Sequence, residues 1–371
     1  LTPRERFAVI GDYYGTVGTG HDRGRAIEAF EQGLRLGDYS NTNSLSRLLS
    51  SRREFARAES LGLVRIRVEP ERRITYGNVA IYQLFQGRAL AAESTLTAWQ
   101  KRSGVPERPN EALDRLAIAT ARGDGAAATA ILDSVLRSAT GRDRVRALAM
   151  DNALASLYGR VTRADAATRE QYEYSASRGV TVPHAAGDAL AVMRDASLFG
   201  TSPALVARLD AVVASPGFAA QRAHAQVAEA YALLGDAGKA KAMLARFESE
   251  VRDTTFKRFT QPDQHNALGA IALAERRFRD AIAEYRKGDL LPDGPATSCG
   301  GCLPARLARV FDAANEPDSA ITQIELMLRT PLQGRLGGPA NTLVGLFEQR
   351  LAELYEKKGE TAKAAEHYRA F

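Results

Sequence analysis

Small and aromatic residues recur along this chain in paired amphipathic segments, and the last pair shows the unit most fully. In "LAELYEKKGETAKAAEHYRAF" the residues Ala352, Tyr355, Gly359, Ala364 and Tyr368 put apolar positions on one face of each of two helices, with a glycine turn between them. "AEAYALLGDAGKAKAML" repeats the pattern through Ala228, Tyr231, Gly235, Ala240 and Leu244. "LGAIALAERRFRDAIAEYRKG" repeats it through Gly269, Ala272, Ala281 and Tyr285, with Arg276 where the turn glycine would stand. The alanine of the second segment returns as Ala58, Ala92, Ala128, Ala240, Ala281, Ala320 and Ala364, in steps of 34, 36, 41, 39 and 44 residues around one wide gap after Ala128. A period of this length predicts stacked helical hairpins, each burying its apolar face against the next.

Earlier copies are looser. "SLSRLLSSRREFARAESLGLVRIRVEP" carries Ser46, Leu49, Ala58, Gly62 and Pro70, and "NVAIYQLFQGRALAAESTL" carries Ala80, Gly87, Ala92 and Leu96. "LAIATARGDGAAATAILDSVL" supplies Gly123, Ala128 and Leu132. The opening "GDYYGTVGTGHDRGRAIEAFEQGL" has Gly11, Tyr14, Ala26 and Phe30 around a lengthened turn. These residues resemble the tetratricopeptide repeat, whose small residues let helices approach and whose aromatics fill the space between hairpins. The resemblance covers nearly the whole chain and implies an all-α solenoid forming a right-handed superhelix. The chain reads as one elongated array, 1–371, with N-terminal repeats over 1–144, divergent helical repeats over 145–215 and C-terminal repeats over 216–371. "LARVFDAANEPDSAI" and the final copy are also similar to repeat regions that some bacteria append to serine/threonine kinases and regulators. That likeness implies a recruiting module of a larger signalling or assembly protein, cut short at its end.

Composition narrows the partners. No window approaches the 18 or more apolar residues of a membrane helix, so no membrane insertion of this segment is expected. Leu1 opens directly onto "TPRERF", and no leader is read there. The 50 basic and 44 acidic residues give +6, and arginine greatly outnumbers lysine. Net charge alone speaks to non-specific association, so a nucleic-acid partner is not expected. Arg47, Arg52, Arg53, Arg57, Arg65, Arg67, Arg72 and Arg73 form a basic run that suits an acidic peptide or a solvated face. Its aromatics are too few for single-strand stacking.

Chemistry concentrates in Cys299-Gly300-Gly301-Cys302, just before a helix. A redox dithiol would gain from the helix N-terminus, but the strands of a thioredoxin context are missing. Zinc would need two further ligands, with His265 the nearest candidate. A haem attachment is excluded because Leu303 follows the second cysteine. A local disulfide pinning the loop, or a pair of inert thiols, remains beside the redox and metal readings. The compartment follows from the choice, extracytoplasmic if the pair is oxidised and cytoplasmic if reduced. "GTVGTG" lacks the strand and the Lys-Ser/Thr ending of a phosphate loop. With no catalytic constellation the chain reads as non-catalytic, and no cofactor is expected.

The family resemblance implies that first helices line a concave groove. Its register nominates Asn43, Arg47, Asn110, Arg222, Glu229, Asn266, Arg309, Asp312, Gln349 and Glu353 as the wall that meets a protein or peptide. Arg47 and Asn43 stand in the wrong order for the carboxylate clamp of co-chaperone members. The apolar residues Leu351, Leu354, Tyr355, Tyr368 and Phe371 are expected to leave a stripe at the far end, which would let copies associate end to end as a homo-oligomer or filament.

Overall fold

The computed structural model describes residues 1–16, 19–105, 107–180, 184–334 and 343–371, together with the backbone but not the side chain of residue 110. Ten antiparallel helix pairs follow one another: α1 (Pro3–Gly15) with α2 (Arg23–Arg35), α3 (Thr42–Ser51) with α4 (Phe55–Val68), α5 (Arg73–Phe85) with α6 (Ala89–Ser103), α7 (Pro109–Ala121) with α8 (Gly125–Ser138), and α9 (Gly141–Leu157) with α10 (Val161–Ser177). Next come α11 (Ala185–Phe199) with α12 (Pro203–Ala214) and, after the short α13 (Pro216–Gln221), α14 (His224–Leu233) with α15 (Ala237–Glu250). The short α16 (Thr254–Phe259) precedes α17 (Gln261–Ala274) with α18 (Phe278–Gly288). The last two pairs are α19 (Cys302–Ala313) with α20 (Pro317–Arg329) and α21 (Val344–Lys357) with α22 (Thr361–Ala370). The only described strands, β1 (Leu290–Leu291) and β2 (Gly294–Pro295), form a small antiparallel hairpin. The chain is an all-α solenoid of antiparallel helical hairpins.

One local rule builds most of the pairs. The alanine of the period lies four residues after the N-cap of the second helix, and its N–H donates to the N-cap carbonyl, as in Ala58 to Glu54, Ala240 to Asp236 and Ala364 to Glu360. Ala58, Ala92, Ala128, Ala240, Ala281 and Ala320 are all fully buried at the helix crossing. The wide gap contains a further member, Ala164 of α10, equally buried, and Val206 takes the position in α12. The divergent stretch therefore holds two hairpins, of which α9–α10 follows the rule and α11–α12 departs from it, with Val206 for the alanine and the left-handed residue at Gly200, two positions before the N-cap Ser202.

The residue immediately before that N-cap takes a positive φ, at Gly123 (+75°), Gly235 (+88°) and Gly359 (+76°). This is the left-handed conformation that ends a helix. Arg276 occupies the same conformation at φ +59° despite its side chain. Arg276→Gly is therefore expected to stabilise the chain by up to about 1 kcal/mol, read as a higher urea midpoint, because a side chain is disfavoured at positive φ. An unchanged or lower midpoint would mean that the Arg276 guanidinium, 5.5 Å from the Phe278 ring, offsets the strain.

First helices touch first helices along much of the array, α3 with α5, α5 with α7, α7 with α9, α11 with α14 and α14 with α17, which makes them the inner wall. Contacts between sequence-distant hairpins complete the shape. The segment after α18 and the turn after α20 meet the edge formed by the first three hairpins. Arg23 donates to Asp293 at 2.7 Å, Arg53 to Asp289 at 2.9 Å, and a side chain at Gly87 would meet Pro331 at 3.6 Å. Hairpins one to three thus lie against the loops that follow hairpins eight and nine, and the superhelix completes a turn on itself.

The C-terminal stripe is smaller than the sequence suggests. Leu351, Leu354 and Tyr355 are buried against α19 and α20 rather than exposed, because α21 turns that face into the last core cluster. Tyr368 (44% exposed) and Phe371 (64%) remain on the surface.

Candidate binding site on the inner wall

Charged residues on the first helices pair from one hairpin to another and form an interrupted ladder. Arg73 of α5 pairs with Asp114 of α7 at 2.6 Å, and Arg146 of α9 reaches the other oxygen of Asp114 at 3.1 Å. Farther along, Arg306 of α19 donates to Glu229 of α14 at 3.1 and 3.2 Å, spanning the intervening α17. Arg350 of α21 grips Asp312 of α19 through Nε at 3.1 Å to both oxygens and through a terminal nitrogen at 2.6 Å. Arg350 also donates to Glu353 at 2.6 Å, and Gln349 donates to Glu353 at 3.1 Å. Planar guanidinium groups suit this bidentate bridging.

Between α11, α14 and α19 the ladder borders a cleft. Met193, Leu233, Leu343 and the Tyr285 ring give it an apolar lining, and Arg194, Ser197, Glu229, Arg306 and Arg309 supply polar groups. Gly269 of α17 brings Tyr285 in, since a Cβ there would lie 2.7 Å from the ring. Arg306 stands over that ring, 5.8 Å from its centre, and burial pushes the Tyr285 phenol well above its ordinary value. Arg194 is held by Asp165 at 2.8 Å and Asp195 at 2.6 Å. Arg309, half-buried, makes no ion pair or hydrogen bond among the described residues.

Asp263 of α17 sits behind the Glu229–Arg306 pair and accepts from Gln226 at 3.2 Å. Burial, and then the charge of Glu229, push its carboxyl up to about 6. The folded state holds this proton more tightly than the unfolded chain, so stability drawn from it falls as pH rises through about 6. Asp263→Asn is expected to be near neutral in acid and to add roughly 1–2 kcal/mol above that range. Urea melts across the pH range check this, and a pH-independent difference would refute it.

The wall residues nominated from sequence divide. Glu229 and Arg309 meet at the cleft, and Asp312, Gln349 and Glu353 meet through Arg350. Asn43 (half-buried) and Arg47 (exposed) lie on α3, apart from both groups. Arg222 is not on the wall: it is a turn residue at φ +54° ahead of α14, paired with Asp253 at 3.4 Å and 4.9 Å from the Phe256 ring. Asn266 is buried inside its hairpin, where its Oδ1 would lie 2.4 Å from a Cβ on Gly288. The Asn110 side chain lies outside the described residues. Arg306, Arg350 and Asp263 were not nominated, although Arg306 lies one helical turn before Arg309 on the same helix face.

The basic run from 47 to 73 is largely spoken for. Arg65 is buried and donates to Glu69 at 2.8 Å, Arg73 serves the ladder, and Arg52 and Arg53 face Asp293 and Asp289. The acids that meet Arg52 and Arg53 belong to a loop of the same chain. Cys299 and Cys302 are joined by a disulfide. His265, the candidate zinc partner, is instead held 2.7 Å from Glu284. No group of three or more metal-ligating side chains gathers among the described residues, and no described helix is long and apolar enough to cross a membrane.

No protein-family profile matches the chain, and no curated protein matches it. Among solved structures it is similar to Naa15/Naa10 bound to HypK-THB, at 18% identity and TM-score 0.31, over 98% of this chain and 64% of that one. It is similar to the TPR domain of P58(IPK) at 18% identity and TM-score 0.25, over 90% and 92% of the two chains. The pentatricopeptide repeat protein PPR10 from maize is 14% identical with TM-score 0.31, over 100% of this chain and 53% of that one. The chain thus spans less than two thirds of the first and third of these proteins.

Proposed function

We propose that the chain is a non-catalytic interaction module that binds a protein or peptide along its inner wall, with the cleft between α11, α14 and α19 as the anchoring point. The observation that carries this reading is Arg309, which makes no ion pair or hydrogen bond among the described residues and stands beside an apolar lining between the Glu229–Arg306 and Asp312–Arg350 pairs. A partner segment that sets an aliphatic side chain against Met193, Leu233 and Leu343 can place a carboxylate on Arg309. The paired charges on either side tie together the helices that border the cleft.

The test is a titration of the full chain with the tightest binder from an array of peptides pairing an acidic with an aliphatic residue. Arg309→Glu is expected to weaken binding about tenfold or more, and Arg47→Glu to leave it nearly unchanged. Equal affinity of wild type and Arg309→Glu would remove the cleft from this reading. Self-assembly through the ends is the second reading, supported by exposed Tyr368 and Phe371 at one end and Val9 and Tyr13 at the other. Light scattering across concentrations separates the two, since end-to-end contacts grow with concentration.

A further inference from the structure

The segment 289–301 is held across the superhelix by side chains of the first two hairpins. Arg23 donates to Asp293 at 2.7 Å and to the Ala296 carbonyl at 3.4 Å. Arg53 donates to Asp289 at 2.9 Å, to the Thr297 carbonyl at 3.0 Å and to the Cys299 carbonyl at 2.9 Å. Three of these acceptors are backbone oxygens, so the clasp depends on the conformation of the loop. That conformation is fixed at its end by the Cys299–Cys302 disulfide, and Gly301 donates to Gly334 at 3.3 Å, joining the turn after α20 to the same unit.

The clasp is incompletely satisfied. Nε of Arg23, Nε of Arg52 and one oxygen of Asp293 are buried without a hydrogen-bond partner among the described residues. The second oxygen of Asp293 lies 3.9 Å from a terminal nitrogen of Arg52, so charge as well as hydrogen bonding holds the clasp. We propose that Cys299–Cys302 is a redox modification site whose reduction by a dithiol releases this clasp and opens the superhelical turn.

The chemistry is ordinary thiol–disulfide exchange. Cys299 is buried, whereas Cys302 is half-buried and lines the cleft, so its sulfur is the one a nucleophile reaches. A thiolate of the dithiol attacks Sγ of Cys302, the bond to Cys299 breaks, and Cys299 leaves as a thiolate. The second thiol of the reductant then resolves the mixed disulfide. Two electrons and two protons pass to the protein, which ends with two thiols, and the reductant ends as a disulfide. Freed of the bond, the segment regains backbone freedom and the three carbonyls no longer stand together for Arg23 and Arg53. Because Cys302 opens α19 and borders the cleft, the same event loosens one wall of the anchoring point.

Small-angle scattering and amide exchange of the full chain, with and without dithiothreitol, test this without any binding partner, so failure of the proposed function leaves the test intact. Reduction is expected to raise the radius of gyration and to speed exchange across 289–301 and around Arg53 by about tenfold or more, with α14 and α15 unchanged. Asp289→Asn/Asp293→Asn should open the oxidised chain in the same way, with helix content by circular dichroism confirming the fold. Unchanged scattering and exchange on reduction would overturn the proposal. So would opening by the aspartate variant but not by reduction, which would leave a clasp indifferent to the disulfide.

Discussion

Replacing Glu229 by alanine is expected to destabilise the chain by about 3–5 kcal/mol, because it leaves the Arg306 guanidinium buried without its counter-charge. Both side chains are largely hidden, Arg306 at 17% and Glu229 at 11% exposure, and the pair joins α14 to α19 across α17. The loss should depend on pH in a predictable direction. Asp263 is repelled by Glu229, and its carboxyl stands at about 6. Without Glu229 it ionises more readily and partly neutralises Arg306, so the cost is smaller above about pH 6 than below it. Glu229→Leu combined with Arg306→Met should recover most of the stability, since a buried pair replaced by apolar groups is often neutral. Urea melts of the two variants decide it: if the double variant is no better than the single, packing rather than the unpaired charge accounts for the loss.

Tyr355→Ala should cost about 3–5 kcal/mol as well, for a different reason. The ring is 3% exposed and fills the core shared by the last two hairpins, where its hydroxyl donates to Glu325 of α20. Removing it empties an aromatic site in the middle of that core cluster. The damage is expected to remain local, because a solenoid repeat is stabilised by its neighbours. Amide exchange should quicken through α19 to α22 and stay slow in α14 and α15. Tyr355→Phe should lose only about 1 kcal/mol with the hydrogen bond. Uniform loss of protection along the chain after Tyr355→Ala would contradict the local picture.

How much of this was legible in the sequence depends on the range of the interaction. The hairpins are local: an N-cap, a left-handed residue before it and an alanine four residues on lie within six positions, and all leave residue-type signatures. The reading failed only where the signature was diluted, as at Ala164 and Val206 in the divergent stretch. The buried face of α21 is semi-local. Leu351, Leu354 and Tyr355 are visibly apolar, but which neighbour covers them follows from the path of the chain rather than from their spacing. The wall was legible only in part, because register says which residues share a helix face and not which of them finds a partner. Asp312 was nominated, but Arg350 was not. Asn266 and Arg222 fell in register yet turned into a hairpin interior and a tight turn. The clasp was invisible, since Asp289 and Asp293 look like ordinary loop acids and Arg53 like one more member of a basic run.

That clasp changes the accounting of cooperativity. In a linear array each repeat contacts only its neighbours, so ends fray first and stability approximates a sum of nearest-neighbour terms. Here Arg23 and Asp293 are 270 positions apart, and their contact gives hairpin one a second set of neighbours. The entropy of tying such distant positions grows only with the logarithm of the intervening length, and within an already folded superhelix most of it is spent. The first hairpin is thus anchored at two places and cannot peel away without also freeing the loop after α18. Unfolding from the amino end should therefore proceed in a block of several repeats rather than hairpin by hairpin, and the chain should behave less like a stack than like a hoop with a seam.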